Sequence, residues 1–404
     1  MEEQNREVLN GIDRILFDSI LFNNVPDEDF GLSGKRLGLI TNHSGLTKNL
    51  ISSIDIIKEQ FDLRALFGPE HGVRGEIEAG NQVDTYTDKR TGLPVYSLYS
   101  VKPQSQGITQ GNQLQHRPEP YMLEDIDMLL IDIQNIGCRF YTYESTMYNC
   151  MEECAATGKT LVVLDRINPI NGCHIEGNIL DLNFKSFVGT GPVTNRHGMT
   201  MGELARFYNK ECNINCELKI ISLKNWKREY YSDKIGFSWV NPSPNIPNID
   251  CALLYPGTCI FEGTSVSEGR GTTRPFEQIG APWLDAEALA DTMNSHSLPG
   301  LLFRPASFLP SFSKHKGELC RGVQLHITDR NLIKPVAASV LLLKAIIDMS
   351  GEKFHWIQGK TGRYSIDILA GTDILRTEGP EKYLELCEEG AKVFEEKRRP
   401  YLLY

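Results

Sequence analysis

No stretch of the 404-residue chain stays apolar for the roughly 18 to 20 residues that a bilayer crossing requires. The N-terminus, Met1 to Arg14, is polar and acidic, not basic and then apolar, so neither an anchor nor a signal peptide is read there and a cytoplasmic location is the expectation. Positive charge is also short: 42 Lys and Arg face 52 Asp and Glu, a formal net charge of −10. A phosphate polymer is normally met by a basic face, and the cations here are dispersed, so a nucleic-acid partner is not expected. The ten cysteines form no C-x-x-C pair and no dense framework, and Cys150/Cys154 and Cys212/Cys216 are spaced to share a helix face. Free thiols in a reducing compartment are the simpler reading. Three catalytic signatures are missing as well: the phosphate loop G-x-x-x-x-G-K-[ST], the zinc motif H-E-x-x-H and the nucleophile elbow G-x-S-x-G. Gly269-Arg-Gly271 starts like a dinucleotide fingerprint, but Arg274 stands where the third glycine belongs. A nicotinamide cofactor is therefore not implied, and no cofactor is expected.

What is present looks like an ordinary folded protein, with 41% hydrophobic and 23% charged residues. The length suggests two domains, or three, each with its own core. Short apolar runs alternate with helical patterns through the first half, the signature of an α/β fold with a parallel sheet. Strands are expected at Arg36–Thr41, Leu63–Phe67, Met128–Ile133, Thr160–Asp165 and Leu218–Leu223, with helices over Asn49–Gln60, Ser145–Thr157 and from Met201 to Lys210. The Pro- and Gly-rich segment Trp239–Trp283 reads as an irregular crossing. Beyond it a smaller α/β lobe is expected, with helices at Ala286–Asn294 and Pro335–Asp348, strands at Leu301–Phe308 and Gly322–Thr328, and a last helix buried along Leu384, Cys387, Ala391 and Phe394. The division is thus 1–240 and 241–404, with 241–283 as the interlobe segment.

Ligands of an open parallel sheet bind beyond the carboxyl ends of its strands. Glu70, Asp132 and Asp165 fall at such ends, although a lone acid there can simply cap a helix. Glu70 sits in Phe67-Gly-Pro-Glu-His-Gly-Val-Arg-Gly75, whose glycines permit close backbone approach. Asp132 opens a loop carrying Arg139, Phe140, Tyr141 and Tyr143, which suits either a sugar-stacking, carboxylate-holding site or an aromatic mini-core with Arg139 paired to Asp132. Further candidates are Asp165-Arg166, the turn Arg196-His197-Gly198 and the run Phe261–Arg274, which sets Glu262 and Glu268 beside Arg270 and Arg274. His315 and His326 read as structural. A carboxylate site with arginines and aromatics suits glycoside hydrolysis, with one carboxyl kept protonated as the acid.

These stretches, together with Thr91-Gly-Leu-Pro-Val-Tyr-Ser-Leu-Tyr99, Tyr255-Pro-Gly-Thr258 and Ser267-Glu-Gly-Arg-Gly-Thr272, resemble the exo-lytic β-N-acetylmuramidases, the NamZ-like or YbbC-like glycoside hydrolases. The resemblance implies a Rossmann-like N-terminal domain, a smaller C-terminal α/β domain and an active site in the cleft between them. It implies release of N-acetylmuramic acid from the non-reducing end of peptidoglycan fragments, in cell-wall turnover and recycling. Carried over, the G-P-E-H-G glutamate falls on Glu70 as general acid; Glu268, Glu262, Asp132 or the substrate's own 2-acetamido group is the second group. His71, Arg74, Arg139, Tyr141, Tyr143, Arg166, His197, Glu262, Arg270 and Arg274 are the expected substrate contacts, the arginines because muramic acid carries a lactyl carboxylate. Small muramic-acid glycosides or muropeptides are the expected partners, with no membrane insertion and the oligomeric state open. Two other readings remain: a metal-dependent hydrolase using Glu70, His71, Asp132, Asp165 and His197, and a non-catalytic muropeptide-binding protein.

Overall fold

Strands buried on both faces read as unbroken apolar runs, and the centre of this fold is made of such runs. β1 (Arg36–Thr41) lies between β2 (Asp62–Gly68) and β7 (Met128–Asp132), and β8 (Thr160–Leu164) continues outward from β7; every residue of β7 and β8 is buried. β9 (Glu217–Ile221) closes that side, while β4 (Pro94–Ser97) and the short antiparallel β3 (Tyr86–Thr87) close the other, giving the order β3-β4-β2-β1-β7-β8-β9. All pairings except β3 with β4 are parallel. A two-stranded ribbon joins β5 (Ser100–Val101) to β6 (Leu114–Gln115). The computed structural model describes residues 7–21, 30–70, 72–75, 85–101, 114–359 and 362–404.

Alternation along each strand sorts side chains to the two faces. Leu130 and Val162 join one core with Ile12 and Ile15 of α1 (Gly11–Leu21) and Ile54 and Ile57 of α2 (Ser53–Gln60). Leu129, Ile131, Leu161 and Val163 join the other, against Met147 and Cys154 of α3 (Tyr143–Thr157) and Leu204 and Phe207 of α4 (Met201–Glu211). This second core does not stop at the sheet. It runs on through Leu253 of α5 (Ile249–Thr258) to Ile279 of β10 (Gln278–Ala281), Phe303 of β11 (Leu301–Phe308) and Val323 of β12 (Cys320–Ile327). Those three strands form an antiparallel sheet in the order β10-β12-β11, accompanied by α6 (Ala286–Ser295) and α7 (Pro335–Ser350).

The crossing segment differs from the sequence expectation, because it contains α5 and β10. α5 begins at Asn248, whose side chain accepts the Cys251 N–H at 2.7 Å. Residues 251–258 are all buried, so no one-sided stripe betrays the helix, and Pro256-Gly257 near its end reads as a breaker. The glycine has a packing reason: a Cβ at Gly257 would stand 1.9 Å from the Pro335 carbonyl oxygen of α7. The last elements, α8 (Ser365–Ala370), α9 (Ile374–Thr377) and α10 (Pro380–Arg398), carry the chain back to the parallel sheet. There Phe394 packs edge-on against Phe207 at 5.5 Å, and Tyr404 donates its hydroxyl to Asp165 at 2.7 Å.

Arg139 ties the two ends of this path together. Its fully buried guanidinium donates from Nη1 to the carbonyls of Asn178 and Val193 (2.8 and 3.0 Å) and from Nη2 to those of Leu369 and Ala370 (3.1 and 2.8 Å). The latter two are among the last carbonyls of α8, which lack intrahelical partners. Removing the fork takes a donor from four buried carbonyls, of which that of Val193 keeps the Leu180 N–H at 3.2 Å. Arg139→Met is therefore expected to lower the unfolding free energy by about 3 kcal/mol or more, and Arg139→Lys, lacking the planar fork, to recover little of it. Urea unfolding measures this; an Arg139→Met protein with the wild-type midpoint contradicts it.

Candidate active site

The carboxyl ends of β2, β4 and β7 deliver three loops to one rim. From β2 comes Glu70, from β4 Tyr99, and from the loop after β7 come Tyr141 and Thr142, with Tyr143 at the first position of α3. With Tyr255, Glu262 and Arg270 of the α5–β10 region, they line a cavity of about 220 Å³. Thr142 Oγ1 donates to Glu70 Oε2 at 2.7 Å. Burial first, and then the negative charge of Glu70, push the Tyr99 and Tyr143 phenols well above the ordinary tyrosine range; burial does the same to Tyr141. All three stay protonated. The Tyr143 hydroxyl accepts from Asn42 Nδ2 (2.6 Å) and donates to the Pro242 carbonyl (2.7 Å). The Tyr141 hydroxyl is buried and has no hydrogen-bond partner among the described residues. An unpartnered donor of this kind costs stability unless a ligand supplies the acceptor.

The second half contributes a linked set of charges. Glu262 accepts from Arg270 Nη2 at 2.6 Å and Nε at 3.2 Å, and Glu268 stands 3.5 Å from the same Nε. The arginine lies 5.0 Å over the ring of Phe276, whose edge meets Tyr255 at 4.7 Å. Burial works against the Arg270 charge, but Glu262 outweighs it and holds the guanidinium more basic than usual. Glu268 is buried and pairs with Lys314 Nζ at 2.7 Å, which also donates to the carbonyls of Phe261, Thr264 and Val266. It is not part of the cavity wall.

Of the residues singled out in the sequence, Glu70, Tyr141, Tyr143, Glu262 and Arg270 therefore meet at one cavity. Others lie elsewhere. Asp132, fully buried, accepts from Arg166 Nε (2.6 Å) and Nη2 (2.8 Å), because β7 and β8 are neighbours and end side by side. Arg139 is the clasp described above and pairs with no carboxylate through its Nη atoms. Arg74 holds Asp88 at 3.0 Å; burial raises the acidic pKa of Asp88, but the Arg74 and Thr91 hydrogen bonds outweigh it and bring it below the usual range. Arg274 donates to Glu277 at 3.0 Å. His71 lies outside the described residues. The Met199 N–H points at His197 Nδ1 (3.0 Å), which leaves the ring proton on Nε2, and Nε2 faces Glu144 at 2.7 Å. Glu144 also accepts from Tyr208 (2.9 Å) and Asn135 (3.0 Å), so this buried network anchors the first turn of α3 beside Thr142. Asp165 accepts from the Gly202 N–H and Thr200 Oγ1 at the start of α4, the capping arrangement. The ligand set of a metal hydrolase is thus scattered over separate networks, and among the described residues no group of three or more His, Cys, Asp or Glu side chains is arranged to hold a metal ion. Tyr99, Thr142 and Tyr255 line the cavity although no individual role for them is readable in the sequence; their signal was membership of motifs whose other residues drew attention.

Comparisons with known proteins agree with this architecture. Residues 37–250 match a family model described as exo-beta-N-acetylmuramidase NamZ, N-terminal, and residues 253–404 match its C-terminal counterpart. The peptidoglycan beta-N-acetylmuramidase NamZ of Bacillus subtilis (strain 168) is 45% identical over 405 residues, covering 98% of this chain and 92% of that protein. Two crystal structures of DUF1343 family proteins from Bacteroides fragilis share the fold. One superposes with a TM-score of 0.86 at 35% identity, covering 99% of this chain and 100% of that one. The other gives 0.73 at 29% identity, covering 99% of each. Matched along nearly its whole length by both halves of one family model, the chain belongs to the exo-β-N-acetylmuramidase NamZ family.

Proposed function

We propose that this chain is an exo-acting β-N-acetylmuramidase, a glycoside hydrolase that cleaves N-acetylmuramic acid from the non-reducing end of peptidoglycan fragments. The observation that carries the reading is the cavity in which Glu70, Tyr141, Glu262 and Arg270 face one space, in a member of this family. Glu70 gives its proton to the glycosidic oxygen as the bond from that oxygen to C1 breaks. Thr142 fixes the orientation of the carboxyl through its 2.7 Å hydrogen bond. Arg270 meets Glu262 through Nε and Nη2, and its Nη1 takes the lactyl carboxylate. The Tyr141 hydroxyl donates to a substrate oxygen.

For the second group we favour the substrate's 2-acetamido oxygen. It closes on C1 from the opposite face to give an oxazolinium ion, which water opens while Glu70 takes back a proton. Support comes from the carboxylates: Glu262 is gripped by Arg270, and Asp132 and Glu268 lie in their own ion pairs away from the wall. No helix among the described residues is long and apolar enough to cross a membrane. We assign the enzyme to the cytoplasm, supported by ten cysteines that are all free thiols.

Glu70→Gln is expected to lower kcat on a disaccharide of N-acetylmuramic acid β-linked to N-acetylglucosamine by about 100- to 10,000-fold, with thermal unfolding unchanged. Turnover within a few-fold of wild type removes Glu70 from the mechanism. Fractionation of producing cells is expected to recover the activity with cytoplasmic markers; recovery in the periplasm or medium overturns the compartment.

A further inference from the structure

A second cavity adjoins the one that holds Glu70. It measures about 540 Å³, more than twice the first, and is lined by Pro244, Asn245, Arg270, Thr273, Phe312 and Ser313 among others. Arg270 is common to both walls, and the chain passes from the first to the second between Ser243 and Pro244. A substrate whose terminal sugar fills the smaller space beside Glu70 has to send its leaving group somewhere. The larger space begins on the other side of the same arginine.

We propose that this second cavity receives the leaving part of the glycan, the N-acetylglucosamine and the sugars beyond it, and that Phe312 is the platform on which the first leaving sugar rests. This rests on the exo-muramidase reading and extends it to the residues that select the leaving group. Phe312 is 50% exposed, the one phenylalanine among the exposed large hydrophobic side chains of the described residues. An aromatic face beside prolines suits the apolar face of a pyranose, and Asn245 and Thr273 offer amide and hydroxyl groups to its hydroxyls and acetamido group. Among the described residues the wall has one charged residue, Arg270, and is otherwise neutral. A neutral sugar matches that better than a peptide stem bearing carboxylates and amines.

The platform is also built in advance. Ser311 donates both its backbone N–H and its hydroxyl to the Gly271 carbonyl, each at 2.8 Å. A Cβ at Gly271, whose φ is +82°, would come within 2.5 Å of the Phe312 carbonyl oxygen. The two loops therefore lie backbone against backbone, and the ring is carried by a fixed strip of chain.

The test compares two substrates of the intact enzyme: the muramic acid–N-acetylglucosamine disaccharide, and 4-nitrophenyl β-N-acetylmuramide, which lacks the leaving sugar. The readout is the ratio of kcat/KM for the first to that for the second. Phe312→Ala, which removes the platform, and Thr273→Trp, which fills the cavity from an exposed position, are each expected to lower that ratio about three- to tenfold, mainly through KM for the disaccharide. A ratio equal to wild type in both variants overturns the proposal. A third substrate, the same disaccharide carrying a peptide on the lactyl group, completes the test: a loss of kcat/KM confined to it assigns the cavity to the stem and likewise overturns the proposal. If the wild-type enzyme cleaves none of these substrates, the muramidase reading itself fails, a distinct result.

Discussion

A proton donor carried by one sheet can work against walls carried by another only if the two sheets cannot drift apart. In this chain that constraint is met by one uninterrupted apolar core, which passes from the α3/α4 face of the parallel sheet through α5 into the antiparallel sheet. Burial of such area is the largest favourable contribution to folding and has no direction of its own. Register between the halves comes from polar contacts laid over it: Arg139 reaching the end of α8, and Arg398 donating to Gly172 and Gly198. The cavity around Glu70 is a consequence. One set of its lining residues stands on loops beyond the parallel sheet, the other on α5 and the segment leading to β10, and both share one foundation.

Charge is distributed with the same economy. A carboxylate taken out of water needs a cation or several donors to remain in the fold. Asp132 has Arg166, Glu268 has Lys314 and Arg270, Glu144 has His197, Tyr208 and Asn135, and Asp165 has backbone and hydroxyl donors at the start of α4. The arginines suggested by the sequence are mostly engaged in holding the architecture. Arg270 is the exception that lines both cavities, and this double position lets one side chain influence both the terminal sugar and the leaving group.

Much of the fold was legible because parallel strands buried on both faces leave continuous apolar runs. β1 begins and ends where its run does, at Arg36–Thr41; β11, an antiparallel strand whose residues alternate between buried and exposed, keeps its expected bounds Leu301–Phe308 through that alternation instead. α5 was hidden by the same physics in reverse, since a helix buried all round has no stripe to display. Glu70 was legible from the rule that sites gather beyond strand carboxyl ends. The same rule could not separate it from Asp132 and Asp165, which end their strands equally well but meet partners brought in from adjacent strands and a distant helix. Arg139 was opaque for another reason: pairing arguments count carboxylates, whereas its acceptors are main-chain carbonyls more than 200 residues away for two of the four. Tyr99 and Tyr255 reach the cavity through the arrangement of the loops, a three-dimensional fact no spacing along the chain expresses.

The central claim is that Glu70 lends its proton to the departing sugar oxygen within the space it shares with Arg270. A crystal structure of the enzyme with an uncleavable thioglycoside of N-acetylmuramic acid and N-acetylglucosamine tests this most directly. The Glu70 carboxyl is expected within hydrogen-bonding reach of the bridging sulfur, with the lactyl carboxylate on Arg270. A sulfur remote from Glu70, with the sugar seated elsewhere on the protein, contradicts the claim.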